Sequence, residues 1–199
     1  MLEYLGMNNP VRGWHQDIFE ARFMRRISGL RPGGRVLEIG CGNGNGTRLI
    51  RKYFQPERIS AVDLDPRMLR LARMLNRHPS VIYSQADASS LPFGDEEFDA
   101  VFDFGIIHHI PEWKKAFDEV RRVLKPGGEF LFEELCADSF LSRLGPLVKK
   151  ITDHPYAEMF SARELEGYLK KTGFSLPPLC RIPVFGIIDL YASVAVKGR

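Results

Sequence analysis

The chain has 199 residues, 44% hydrophobic and 27% charged, with a formal net charge of +3. That length suits one domain with a substantial core, and Lys and Arg are spread along it without the basic tail or block that announces nucleic acid. No segment nears the ~20 apolar residues of a membrane-spanning helix, and MLEYLGMNNP has no secretory pattern.

The first 30 residues read as a helical cap, helical from about Trp14 to Ser28, before a turn at RPGG. RVLEIG (35–40) is short, branched and apolar, the pattern of a buried strand. A glycine loop and a helix over 47–54 follow. RISAVDLD (58–65) is a second strand, and Asp65-Pro66 supplies an N-cap and a first helical residue for a helix running to about Arg77. Further strands are expected at 81–87, 98–107 and 129–135. Pro111 opens a helix between the last two, and PGG (126–128) makes a turn. Segment 136–160 lacks strand signals. A helix then starts at Ser161, with Glu164 completing a capping box, and stops at Gly173. Two β-rich runs, CRIPVFGII and DLYASVAVKG, close the chain as a hairpin at one edge. The whole is a doubly wound, Rossmann-like α/β fold: a mostly parallel seven-stranded sheet, helices on both faces and a C-terminal antiparallel hairpin. Three cysteines without CxxC spacing, Cys41, Cys136 and Cys180, read as buried small hydrophobes in a reducing, cytoplasmic setting.

The chemistry concentrates in VLEIGCGNGNG, with Gly40, Gly42, Gly44 and Gly46 directly after the first strand. Ligands of such sheets sit beyond the carboxyl ends of the strands, where strand order reverses. The dinucleotide pattern GxGxxG fails in both registers, meeting Asn45 or Thr47 where the third glycine belongs, and no Lys-Ser/Thr pair completes a P-loop. Glu38, two residues ahead of the glycines, would repel a pyrophosphate and suits a cationic amine.

VLEIGCGNG resembles motif I of the class I S-adenosylmethionine-dependent methyltransferases, the group that includes the ubiquinone/menaquinone C-methyltransferases. AVDLD, QADASSLPF, FDAVFDFGIIHHI and LKPGGEFLFEE match that family's later motifs in order, so the resemblance spans about residues 30 to 135. It implies S-adenosyl-L-methionine as cofactor, with S-adenosyl-L-homocysteine as product. The loop Gly40, Cys41, Gly42 and Gly44 would lie against the methionyl part, with Glu38 facing the ammonium. Asp63 would accept from the ribose hydroxyls, Asp87 from the adenine amino group, and Ala88 would offer its backbone N–H. Leu64 and Met68 are candidates to pack on the base, and Phe104 and Gly105 to pass near the methyl group. Simpler readings stand beside these: Asp87 as a cap for ASSLPF, Leu64 and Met68 as core residues.

His108 and His109 follow the fourth strand where the methyl should lie, so either could serve as a general base, His109 first; alternatively the pair caps the strand and packs beneath Pro111. Metal-binding relatives carry Glu-x-x-Glu-His here, whereas this chain reads Gly105-Ile-Ile-His108-His109, so no metal is expected. Of Glu133 and Glu134, alternation sends one into the sheet surface and leaves the other at a solvated edge. The acceptor pocket must come from outside the matched core. One source is segment 1–20, with Tyr4, Met7, Asn8, Trp14 and His15. The other is the insertion 136–160, whose Phe140, Leu144, Leu147, Val148 and Ile151 fall near helical spacing as core, lid or acceptor surface. The reading is methyl transfer to a small-molecule acceptor, apolar in one version, with no nucleic acid and no integral membrane segment. Its rivals are a cofactor-holding module without catalysis and a nicotinamide oxidoreductase.

Overall fold

The computed structural model describes residues 10–141, 159–184 and 187–199. Five parallel strands carry the centre: β1 (Arg35–Ile39), β2 (Arg58–Asp63), β3 (Val81–Gln85), β4 (Phe98–Phe104) and β5 (Leu124–Glu134), in the order β3-β2-β1-β4-β5. Parallel neighbours need a crossover, which three helices supply. These are α3 (Asn45–Phe54) from β1 to β2, α4 (Pro66–Leu75) from β2 to β3, and α5 (Trp113–Val123) from β4 to β5. Strand order reverses between β1 and β4, whose carboxyl ends frame the glycine loop.

Alternation along the strands sorts the core into two layers. Leu37, Ile39, Val101, Phe130 and Phe132 pack against Phe117 and Val120 of α5 and against Leu165 and Leu169 of α6 (Ala162–Lys171). On the other face Val36, Ile59, Ala61, Phe102 and Leu131 meet Ile50 and Phe54 of α3 and Leu69 and Ala72 of α4. Phe54 packs edge-on to Phe102 with centroids 4.7 Å apart. Each such side chain contributes about 1.5–3 kcal/mol by leaving water.

Local signals explain the helix ends. Asp65 Oδ1 accepts from Arg67 N–H at 2.8 Å, and Pro66 takes the first helical position. Ser161 and Glu164 form a complete capping box ahead of α6, and Gly173 ends that helix at φ +91°. The PGG turn is absorbed into β5 as a bulge, pairing moving from Phe98↔Leu124 to Ala100↔Glu129, with Gly127 at φ +76°.

Two expectations need correction, the number of strands and the burial of Cys180. The sheet has eight strands, because β6 (Phe174–Ser175) adds a short one before β7 (Cys180–Val184) and β8 (Ile188–Lys197). The C-terminal hairpin is present, β7 pairing antiparallel with β8 from Cys180↔Ala192 to Val184↔Ile188, and β8 joins it to the sheet, antiparallel to β5, with β6 and β7 sharing its other side. Its ten residues are long enough for both. Cys180 is exposed, whereas Cys41 and Cys136 are buried as expected.

The N-terminal helical run has a fault in it. α1 (Pro10–His15) and α2 (Arg22–Ile27) flank a π-helical turn, Gln16–Ala21. Its wider spacing brings His15 Nδ1 within 2.8 Å of Glu20 Oε1, five residues on, and both side chains are buried. Tyr4, Met7, Asn8, Leu144, Leu147, Val148 and Ile151 lie outside the described residues. Within 136–160, Phe140 is core-facing, and Phe160 packs on Trp113 with centroids 5.0 Å apart.

Candidate cofactor and acceptor site

The chain leaves β1 through three glycines with positive φ: Gly40 (+63°), Gly42 (+52°) and Gly44 (+83°). Each has a different neighbour. A Cβ on Gly40 would overlap the Ile106 side chain, and one on Gly44 would come within 3.0 Å of Asn76 and Tyr83. A Cβ on Gly42 would meet nothing within 4 Å. Gly40 and Gly44 are therefore glycine for packing, and Gly42 borders open space.

Asp63 ties this loop to the end of β2. Its Oδ2 accepts from Gly42 N–H and its Oδ1 from Asp65 N–H, both at 2.8 Å. The backbone of Cys41 is engaged inside the protein, its N–H on Val62 O and its carbonyl on Gly44 N–H. Burial, with Glu38 nearby, pushes the Cys41 thiol up, which fits a packing role.

Glu38 projects from β1 beneath the first turn of α3, 1% exposed, and accepts from the Thr47 hydroxyl. Gly46 leaves the room for it, since a Cβ there would overlap Glu38 and crowd Phe104. Burial pushes the Glu38 carboxyl up to about 8; Thr47 opposes the rise, and Asp63 and Asp103 add to it. The folded chain thus holds a proton that the unfolded one, at an ordinary 4.5, gives up. This share of stability is complete below about 4.5 and is lost as pH rises through about 8, a swing of roughly 5 kcal/mol. Chemical denaturation between pH 6 and 9 should show wild-type stability falling more steeply than that of Glu38→Gln; parallel curves would contradict it.

At the end of β4 the chain turns at Gly105, φ +78°, and enters a 3₁₀ turn, Ile107–His109. His108 and His109 are therefore not neighbours on an extended strand. Their rings are in contact, tilted by 36° with centroids 4.1 Å apart, His108 buried and His109 half-buried. His108 Nδ1 hydrogen-bonds Glu134 Oε2, while Glu134 Oε1 accepts from Ile107 N–H at 2.7 Å. A Cβ on Gly105 would lie 3.6 Å from His108 Cε1, so the ring sits under that glycine. The solvated-edge expectation fails: Glu133 and Glu134 are both 0% exposed, because helices cover both faces of β5. Asp103, also 0% exposed, stands beside Glu134, and its Oδ1 accepts from Ile106 N–H at 3.0 Å. Burial and the nearby Glu134 push Asp103 well above the carboxylate range, and burial raises Glu134 too. Two such carboxyls in a dry site share at least one proton.

On the far side of the loop, Asp87 is exposed, and its Oδ1 accepts from Ser89 N–H and Oγ at 2.8 and 2.7 Å, the capping alternative. Ala88 is buried. Leu64 is not a core residue but 66% exposed beside Asp63, and Met68 is half-buried. Gln16 Oε1 accepts from Asn45 Nδ2 at 2.7 Å, which places the N-terminal run over the start of α3. An open cleft of about 630 Å³, lined by Asp95, Arg121, Arg122 and Lys197 among others, lies at the opposite end of the sheet. Its charges are of both signs.

The family profile described as "Methyltransferase domain" matches residues 37–132, the segment that holds β1 through most of β5. Residues 37–132, which hold the glycine loop and the histidine turn, thus resemble a methyltransferase domain. The chain is 36% identical over 103 residues to a phthiotriol/phenolphthiotriol dimycocerosates methyltransferase of Mycobacterium ulcerans, covering 52% of this chain and 40% of that protein. It is 37% identical over 102 residues to the fatty-acid O-methyltransferase of Mycolicibacterium smegmatis, covering 51% of this chain and 37% of that one. The chain thus matches less than half the length of these curated relatives. Among solved structures, it superposes on a chain of the complex between the Haloferax volcanii Trm112 methyltransferase activator and a methyltransferase. The TM-score is 0.80 at 19% identity, over 99% of this chain and 94% of that one, a likeness of fold. Among the described residues no helix is long and apolar enough to cross a membrane, and no group of His, Cys, Asp and Glu is placed to hold a metal.

Proposed function

We propose that the chain transfers the methyl group of S-adenosylmethionine to an apolar small-molecule acceptor. The observation that carries this reading is the loop itself: open space over Gly42, whose N–H is held by the Asp63 carboxylate, and the Glu38 carboxyl buried beneath the start of the following helix. A cofactor bearing a cationic ammonium and a ribose fits those groups, and when bound it supplies an electrophilic methyl on a sulfonium. Gly42 and Gly44 shape the methionyl seat, Glu38 faces the ammonium, and Asp63 accepts from the ribose. Leu64, exposed next to Asp63, and Met68 give the base an apolar bed. Asp87 takes the adenine side through the oxygen that Ser89 does not occupy, with Ala88 behind it.

The chain's remaining task is to align the acceptor, keep water out and hold a proton where one must move. Phe104 and Gly105 lead from β4 to the histidine turn, and in this reading His109 serves as the base with His108 beneath it. Support for an apolar acceptor comes from two sides. The relatives named above act on fatty acids and dimycocerosates, and Trp14 and Phe19 stand 55% and 47% exposed on the run tied to α3.

Asp63→Ala should weaken cofactor binding by about 1–3 kcal/mol, the worth of a hydrogen bond to a charged group. It also frees Gly42 N–H, so the loss should sit at the upper end. Calorimetric titration with unchanged affinity in a folded variant would remove Asp63 from the site. An acceptor screen read by S-adenosylhomocysteine release should favour long-chain acids and phenolic lipids over polar metabolites. Release with none of them, despite normal cofactor binding, would overturn the transferase reading in favour of a cofactor-holding module.

A further inference from the structure

Charge and exposed apolar surface concentrate on one crossover, of which the proposed cofactor site uses only Leu64 and Met68 at its start. The segment from Leu64 to Ile82 carries four arginines, at 67, 70, 73 and 77, against one acid, Asp65. Its net positive charge equals that of the entire chain, +3, so the rest of the protein is balanced. Exposed large side chains gather there too: Leu64 (66%), Met74 (80%) and Leu75 (62%). Ile82, 50% exposed, is excluded, since alternation turns it away from α4 while Tyr83 points toward it.

The helix explains the geometry. Leu69 and Ala72 bury one side of α4. Arg67, Arg70 and Met74 follow at helical spacings of three and four on the opposite side, and the exposed Arg77 lies two residues beyond the helix end at Leu75. Arg73 is drawn to the edge strand, donating to Tyr83 O at 2.7 Å, and Arg67 pairs with Asp65. No described carboxylate pairs with Arg70 or Arg77. Met68, Leu71 and Leu75 form a half-exposed apolar flank beside the basic row. A basic face with an exposed methionine at its centre and leucines along its side is suited to the boundary between headgroups and acyl chains. A polyanion alone would leave Met74 and Leu75 unused.

We propose that α4 docks the chain on an anionic lipid bilayer, with Arg70 and Arg77 at the phosphates and Met74 and Leu75 among the upper acyl carbons. The docked face adjoins Asp63 and Leu64, so the mouth of the cofactor site is held close to the lipid surface. The proposal does not require the acceptor to be apolar, and its test does not read activity.

The full chain is sedimented with sucrose-loaded vesicles of phosphatidylglycerol and phosphatidylcholine, or of phosphatidylcholine alone, at about 0.1 M salt, where surface charges still act over ~10 Å. Binding to the anionic vesicles only, weakened by high salt, is expected. Arg70→Glu/Arg77→Glu should reduce partitioning tenfold or more, and Met74→Ser/Leu75→Ser several-fold. All four positions are exposed, and circular dichroism confirms that the variants fold. Lys115→Glu/Lys170→Glu makes the same change in net charge elsewhere and should bind as wild type. No partitioning onto anionic vesicles overturns the proposal, as does equal loss in the lysine control. Unchanged binding of the Met74/Leu75 variant, with stronger retention on an oligonucleotide, would replace the bilayer by a nucleic acid.

Discussion

Gly42→Val is expected to abolish cofactor binding while leaving the fold nearly intact. Two features bear on this position, a positive φ that Gly40 and Gly44 share and an open space that they lack. Its φ of +52° is one that a β-branched residue adopts only under strain. The space a side chain would enter is also empty of protein, so the cost to the folded chain is confined to that strain, about 1–2 kcal/mol. The same space is where the methionyl part is proposed to lie, and two γ-methyls would fill it. Gly40→Ala is the contrasting variant: its Cβ runs into Ile106, which ties the end of β1 to the histidine turn, so it should lower thermal stability. Calorimetry and thermal melts separate the two. Gly42→Val binding with wild-type affinity would move the cofactor off this loop.

The part of the architecture that could be read from the chain is the part governed by local rules. The strand–glycine–helix unit, the Asp65-Pro66 cap, the Ser161–Glu164 box and Gly173 each announce themselves within four residues, and each is present. The position of β8 is different. Placing it between β5 and the β6/β7 pair depends on long-range pairing, which a run of apolar residues does not specify. The site divides in the same way. Gly42, Asp63 and Glu38 stand out because acids and glycines are costly in a buried strand end. That reasoning reaches Asp103 as well, an acid inside the apolar run VFDFG, and it was the signal available for the buried cluster under the histidines. Thr47 and Gly46 had no such mark, since their role is to accommodate Glu38 from the neighbouring helix. The histidine turn is not legible in the sequence, because the apolar pattern runs on through Ile106 and Ile107 while the strand ends at Phe104, before Gly105 at positive φ. The basic face of α4 does not show in the charge along the chain, because its arginines come together only when the helix is wound.

His109→Ala is expected to lower kcat by about 10²–10⁴-fold with little change in cofactor affinity, the usual effect of losing a general base. The histidine turn makes the roles of the two rings separable. His108 is buried, and its Nδ1 is committed to Glu134, which also accepts from two backbone N–H groups. Removing that ring leaves Glu134 with an unmet partner, so His108→Ala should cost about 1–3 kcal/mol of stability. Some rate should go with it, because His109 loses the ring it contacts. His108→Asn is the informative variant. Its amide can stand near the position of Nδ1 and restore the bond to Glu134, but it supplies no imidazole. If His109 is the base, His108→Asn recovers stability and most of kcat, whereas His109→Asn stays impaired and loses the acid limb of its pH–rate profile near neutrality. If the base is instead His108, oriented by Glu134 with its other nitrogen toward the acceptor, His108→Asn is stable and inactive while His109→Ala turns over normally. That second pattern would overturn the assignment of His109 and make Glu134 the residue that orients the base. Equal losses of kcat in the two asparagine variants, with stability intact, would show that neither ring alone takes the proton.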